Sequence, residues 1–170
     1  MLRTRGFHGP RGFSLLELVV VISIIAIFAA VLLGRLKNTA AIAEKTTMEA
    51  TVNQINTALL FEFAADVIHN TRDKIPALAS KNPVDWLAQP PSNYLGEFAA
   101  TPKQPEPGGN WYFDTTDHFL VYTVQRGEEF QPDSTGLKRV RYRVKLLYDD
   151  TEPKVMVGVI LSPVEPYKWF

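Results

Sequence analysis

From Phe13 to Leu33 the chain runs 21 residues with one charged side chain, Glu17, and two other polar ones, Ser14 and Ser23. As a helix rising 1.5 Å per residue, this stretch spans roughly 31 Å, about the thickness of a bilayer's hydrocarbon core. A helix that is apolar on every side finds no place on the surface of a small domain, so the run divides the chain into a membrane-length segment and a remainder that folds outside it. Arg3, Arg5 and Arg11 precede the run, and Arg35 and Lys37 follow it. Three arginines in a short polar tail favour retention of that end in the cytoplasm. A secretory signal carries its small-residue cleavage site after the apolar stretch. Here the small residue comes before it, in Gly12-Phe13-Ser14-Leu15-Leu16-Glu17.

That segment resembles the N-terminus of the type IV pilin and pseudopilin family. The resemblance implies that a prepilin peptidase cuts on the cytoplasmic side after Gly12, and that Phe13 becomes the N-methylated start of the mature chain. It matches Glu17 to the family's acidic fifth residue. The partners it implies are identical or related pilin subunits, the peptidase, the inner-membrane assembly platform and the lipid bilayer. The location it implies is a single pass through the bacterial inner membrane with a periplasmic C-terminal domain, then a pilus or pseudopilus after assembly.

Physical chemistry gives Glu17 weight of its own. A carboxylate in a membrane helix costs about 2.5–3.5 kcal/mol, so it needs a partner. The α-amino group that cleavage would create at Phe13, in the same chain or a neighbouring one, is a suitable partner. An unpaired charge in a dry filament core is expensive, so such pairing rewards correct register. The first turn of a helix also favours negative charge. The plainer alternative is a signal anchor with one glutamate near the membrane interface.

The helical pattern continues past Gly34 and the alanines at 40, 41 and 43. Met48, Val52, Ile55, Leu59 and Phe63 recur at helical spacing and form one stripe, with Glu49, Asn53 and Asn56 assigned to the opposite face. One helix is therefore predicted from about Phe13 to about His69. Gly34 is its weak point, because glycine costs about 1 kcal/mol relative to alanine inside a helix.

Residues 70–110 are rich in Pro, Asn, Gly and Ser and read as an irregular connection, with a short helix from about Asn82 to Leu87 capped by Asn82. Strand patterns follow at Trp111–Phe113, Phe119–Val124, Val140–Tyr148 and Val155–Leu161, with turns at Asp114–Asp117 and Asp149–Pro153. The expected fold class is α+β, a long helix packed on a small antiparallel sheet of three or four strands. The predicted divisions are a leader at 1–12, a membrane and filament-core helix at 13–36, its amphipathic half at 37–69, and a globular region at 70–170. Asn82–Leu87, Asn93–Glu97 and Trp111–Asp114 also resemble minor pilins of mannose-sensitive-haemagglutinin-type pili.

Strand alternation places Arg139, Arg141, Arg143 and Lys145 on one face. That stripe is either a solvated outer surface or a docking surface for an acidic partner. Without the leader's three arginines the chain has 15 basic and 18 acidic residues, a balance unsuited to binding nucleic acid through bulk charge. There is no cysteine, hence no disulfide and no thiolate metal site. His8, His69 and His118 are isolated, and Gly108-Gly109 reads as a turn rather than a phosphate cradle. Asp114, Asp117, Asp133, Asp149 and Asp150 fall in loops without the regular spacing of a calcium site. Trp86, Trp111 and Trp169 are assigned to core or interface. No enzyme, cofactor or metal is expected. The leading expectation is a structural subunit of a type IV pilus-like filament. The alternatives are a pseudopilin of a type II secretion system and, in another class, a membrane-tethered periplasmic binding module.

Overall fold

The computed structural model describes residues 13–99 and 107–170. They divide into two compact units, one ending at Thr39 and one running Ala40–Phe170. A single helix, α1 (Leu15–Ile68), contributes to both. The expected leader at 1–12 with its arginines and Gly12, and Pro102 and Pro105, lie outside the described residues.

The end of α1 has a clear chemical cause. Asn70 adopts a left-handed conformation (φ 57°), which asparagine tolerates better than most residues. Asn70 N–H then donates to Val67 O at 3.3 Å and Thr71 N–H to Asp66 O at 2.8 Å, the paired bonds of a Schellman motif. Thr71 Oγ1 adds a bond to Asp66 Oδ1 at 2.7 Å.

In the Ala40–Phe170 unit, α1 buries Glu44, Met48, Thr51, Ile55 and Leu59, while Val52 and Phe63 pack at the margin of the core. The stripe expected from the sequence is therefore present, with Glu44 extending it by one turn. Asn56 departs from expectation. It is half-buried rather than solvent-facing, and its side chain bonds to the backbone of Leu161.

Among the described residues the sheet has five strands, β1 (Tyr94–Phe98), β2 (Trp111–Asp114), β3 (Phe119–Thr123), β4 (Arg139–Tyr148) and β5 (Met156–Pro163), in spatial order of sequence. Neighbouring strands are antiparallel except β1 and β2, which are parallel. β1 corrects the expected antiparallel meander of three or four strands. The expected irregular connection also contains two 3₁₀ helices, Arg72–Ser80 and Pro83–Trp86. The second replaces the short helix expected there, with Asn82 Oδ1 accepting from Val84 N–H as its cap.

Alternation directs Trp111 and Phe113, Leu120 and Tyr122, Val140, Tyr142 and Val144, and Val159 and Leu161 onto the helix stripe. Trp169 closes the cluster. Its ring lies 5.4 Å from Phe130 and 6.5 Å from Tyr122, and its Nε1–H donates to Arg126 O at 3.3 Å. Trp111 and Trp169 are thus core residues, and Trp86 packs against the core's edge. Gly108-Gly109 runs against the end of β3 so closely that a Cβ on Gly108 would sit 2.4 Å from Val124 O.

Glu44 is the polar member of the helix–sheet interface. Its Oε1 accepts from Gln125 N–H at 2.7 Å and Tyr122 Oη–H at 3.1 Å, and its Oε2 accepts from Arg126 N–H at 2.8 Å. Burial, followed by the Glu44 charge, pushes the Tyr122 phenol up from its ordinary value, so the hydroxyl remains a donor. Removing a buried acceptor leaves its donors with an unmet desolvation cost. Glu44→Ala is expected to destabilise the domain by about 2–4 kcal/mol in chemical denaturation, and Glu44→Gln by less, because the amide keeps one acceptor oxygen.

Candidate processing and assembly segment

The helix begins with a sequence-encoded cap. Ser14 immediately precedes α1, and its Oγ accepts from Glu17 N–H at 3.1 Å, while Leu18 N–H donates to Ser14 O at 3.1 Å. Ser14-Leu15-Leu16-Glu17 is thus an S-x-x-E sequence with the serine in the N-cap position. Glu17 sits in the first turn, where the helix dipole favours its charge. The sequence reading identified Glu17 and overlooked Ser14, although the spacing of serine and glutamate carried the signal.

All described residues from Phe13 to Thr39 are exposed. Phe13, Leu15 and Leu16 expose 68%, 80% and 74% of their surface, and apolar exposure continues through Leu33 and Leu36. Contiguous apolar surface of this extent is foreign to a soluble monomer and calls for lipid or protein around it. The hydroxyls within and beyond this stretch are satisfied by the helix itself: Ser23 Oγ donates to Val19 O at 2.8 Å, and Thr39 Oγ1 to Arg35 O at 3.0 Å. Such internal pairing suits a helix without water. Among the described residues no atom outside the helix's own backbone lies within 4 Å of where a Cβ on Gly34 would stand, so none of them requires a glycine there.

A family model for the prokaryotic N-terminal methylation motif matches residues 8–33. The chain carries the N-terminal signature of the type IV pilin and pseudopilin class. The match covers Gly12, Phe13 and Glu17 and ends with the apolar run. A pilin-type subunit with an apolar N-terminal helix fits inner-membrane anchoring and assembly with other such subunits. No curated protein and no solved structure gives a significant match to the chain.

The cationic stripe on β4 is less uniform than alternation alone suggested. Arg139 is buried, and its Nε lies 2.7 Å from Asp133 Oδ2. Arg141 Nε is 3.8 Å from the same oxygen, and its guanidinium also pairs with Glu165. Arg143 is exposed, lies 4.5 Å from the Phe119 ring centroid and donates to Asp117 O at 3.2 Å. Lys145 is exposed. The inner two cations are thus engaged by carboxylates of the same domain. This engagement was hidden from the sequence because both carboxylates lie in segments outside the strand.

The loop aspartates also have local duties. Asp114 Oδ1 accepts from Thr116 N–H at 2.9 Å, and Asp149 Oδ1 from Val155 N–H at 2.8 Å. Among the described residues no three His, Cys, Asp or Glu side chains converge as metal ligands. His69 and His118 are exposed and far apart in the sequence, and His8 lies outside the described residues.

Burial opposes ionisation of Asp133, but hydrogen bonds from Thr135 Oγ1, Arg139 Nε and the amides of Leu137 and Thr135 outweigh it and hold the carboxyl at about 2. A depressed folded-state value means that the pair contributes stability above the ordinary aspartate value near 3.9, and loses it as pH falls through about 2. Asp133→Asn is expected to cost about 3–5 kcal/mol at neutral pH, because it strips a buried arginine of its counter-charge. The variant's stability should then vary less than the parent's between about pH 4 and pH 2, as denaturation midpoints across that range would show.

Ser14→Ala should weaken the helix start by about 1 kcal/mol. In detergent micelles this should appear as faster hydrogen exchange at the Glu17 amide, with exchange at Ile55 unchanged.

Proposed function

We propose that the chain is a structural subunit of a type IV pilus-like filament, cut after Gly12, N-methylated at Phe13 and assembled by packing of its apolar helix against those of neighbours. One observation carries this reading: the apolar first part of α1, exposed from Phe13 to Thr39 and with a carboxylate in its first turn, coincides with the methylation-motif match. Before assembly, lipid covers the helix and the globular unit lies in the periplasm. In the filament the same surface is covered by other helices, so leaving the bilayer exchanges one apolar environment for another. Charge sets the register. Glu17 pairs with the Phe13 amine, its own or a neighbour's, and a displaced subunit would leave both charges unpaired in a dry core.

No catalytic step is assigned to this chain, and the work of assembly comes from the inner-membrane platform. Docking of an acidic neighbour on the outer face of the sheet is carried in this reading by Arg143 and Lys145. A type II secretion pseudopilin shares the motif, and the phenotype of a deletion strain separates the two. Lost surface filaments support the pilus, whereas a secretion defect with filaments intact assigns the chain to the pseudopilus.

Co-expression with a prepilin peptidase, followed by intact mass and N-terminal sequencing, should give a product starting at methylated Phe13. Gly12→Ala should leave the full-length chain. Recovery of uncut Met1 from the parent, or cleavage beyond Leu33, would overturn the reading. Glu17→Gln should still be processed yet remain in the membrane fraction, with little protein in sheared filaments.

A further inference from the structure

β5 is one edge of the sheet, and an open edge is a template for another strand. Along β5 the register pairs Tyr142 with Pro163, Val144 with Leu161, and Leu146 with Val159. Antiparallel strands alternate between residues whose backbone groups face the partner and residues whose groups face away. Val164 N–H donates to Arg141 O at 2.8 Å, so even-numbered residues here face β4, and 159, 161 and 163 face outward.

Those outward positions are not equivalent. Leu161 N–H donates to Asn56 Oδ1 at 2.7 Å, and Leu161 O accepts from Asn56 Nδ2 at 3.3 Å. The carboxamide presents the same donor and acceptor as a peptide group, so Asn56 occupies the place of a sixth strand's residue. Pro163 has no N–H to offer. Toward the other end the register slips between Leu147 and Tyr148, an irregularity that bends an edge away from regular pairing. At the tip of the hairpin, Asp149 N–H donates to Val155 O at 2.9 Å and Asp149 Oδ1 accepts from Val155 N–H at 2.8 Å.

We propose that Asn56 is an edge plug, a contact by which α1 closes β5 to strand addition by a second copy of this chain. The proposal does not depend on which filament the chain enters. The need for a plug follows from the surface near it. Val155, Val157 and Ile160 expose 41%, 54% and 38% of their surface, which makes an unplugged β5 a good template for self-pairing.

The chain has no cysteine, so one introduced thiol reports on one position. Full-length protein in detergent would carry Val157→Cys with Asn56 intact, with Asn56→Ala, or with Asn56→Leu, which keeps helix propensity and apolar contact without the carboxamide. Both plug-less variants are expected to form disulfide-linked dimers at least about tenfold more than the Asn56 parent under mild oxidation and, as reduced monomers at low concentration, to exchange the Leu161 amide about tenfold faster. The Leu120 amide, in the middle of the sheet, serves as the control for folding and should keep its exchange rate. If Asn56→Ala unfolds the domain, Asn56→Leu carries the test by the same two readouts. Dimer yield and Leu161 exchange unchanged in a folded plug-less variant would overturn the proposal.

Discussion

The carboxylate of Glu44 gathers two consecutive backbone amides and a tyrosine hydroxyl from the end of β3 and the loop after it. It does so one turn before Met48, the first of the buried apolar residues of α1. Hydrophobic contact alone is non-directional. A stripe of Met48, Ile55 and Leu59 against aromatic and branched side chains would tolerate sliding by part of a turn. The three bonds to Glu44 do not, because each requires its donor within a few tenths of an ångström. Asn56 repeats the arrangement three turns further along, where it bonds to β5. Two polar contacts, one ahead of the apolar stripe and one within it, thus fix the helix along the sheet.

The same helix is built to two specifications. Up to Thr39 its side chains are exposed and, through Leu36, overwhelmingly apolar; from Ala40 onward one face is buried, and the exposed remainder mixes polar residues with Ile42, Leu60, Phe61 and Ile68. The internal bonds of Ser23 and Thr39 show how little the first part asks of its surroundings, since even its hydroxyls are satisfied by the preceding turn. The second part depends on its surroundings for nearly everything. The proposed filament subunit would use both properties, its helix passing between environments while its domain stays folded.

How much of this was legible in the sequence follows from how local each signal is. The apolar run, the stripe and strands β2 to β5 are patterns within single segments that hydropathy and periodicity reveal, whereas Phe13 and Glu17 were singled out by the resemblance to pilins. β1 was missed because its partner lies across an intervening loop, its pairing is parallel, and Gly96 sits in its middle at φ 103°. The cationic residues of β4 were placed on the correct face by alternation. Neither Asp133 nor Glu165 could be matched to them without the fold. Asn56 looked solvent-facing because its angular position lies at the margin of the stripe, where polar and apolar neighbours alternate. Glu44 was read as part of the helix, and its role waited on the end of β3 and the loop after it, more than 75 positions away in sequence.

The aromatic lining of the core has an optical consequence. Trp111 lies 4.8 Å from Tyr122 and 5.8 Å from Tyr142, while Trp169 lies 6.5 Å from Tyr122, all measured between ring centroids. These rings meet the helix through Tyr122, which bonds to Glu44, and through Tyr142, whose hydroxyl contacts Met48 Sδ at 3.7 Å. Two of the three indoles in the chain are therefore buried in the same cluster as Met48, Ile55 and Leu59 of the helix, and displacing the helix is expected to change their surroundings. Their emission is a natural gauge of that seating, readable without a label in solution, in a micelle or in an assembled fibre.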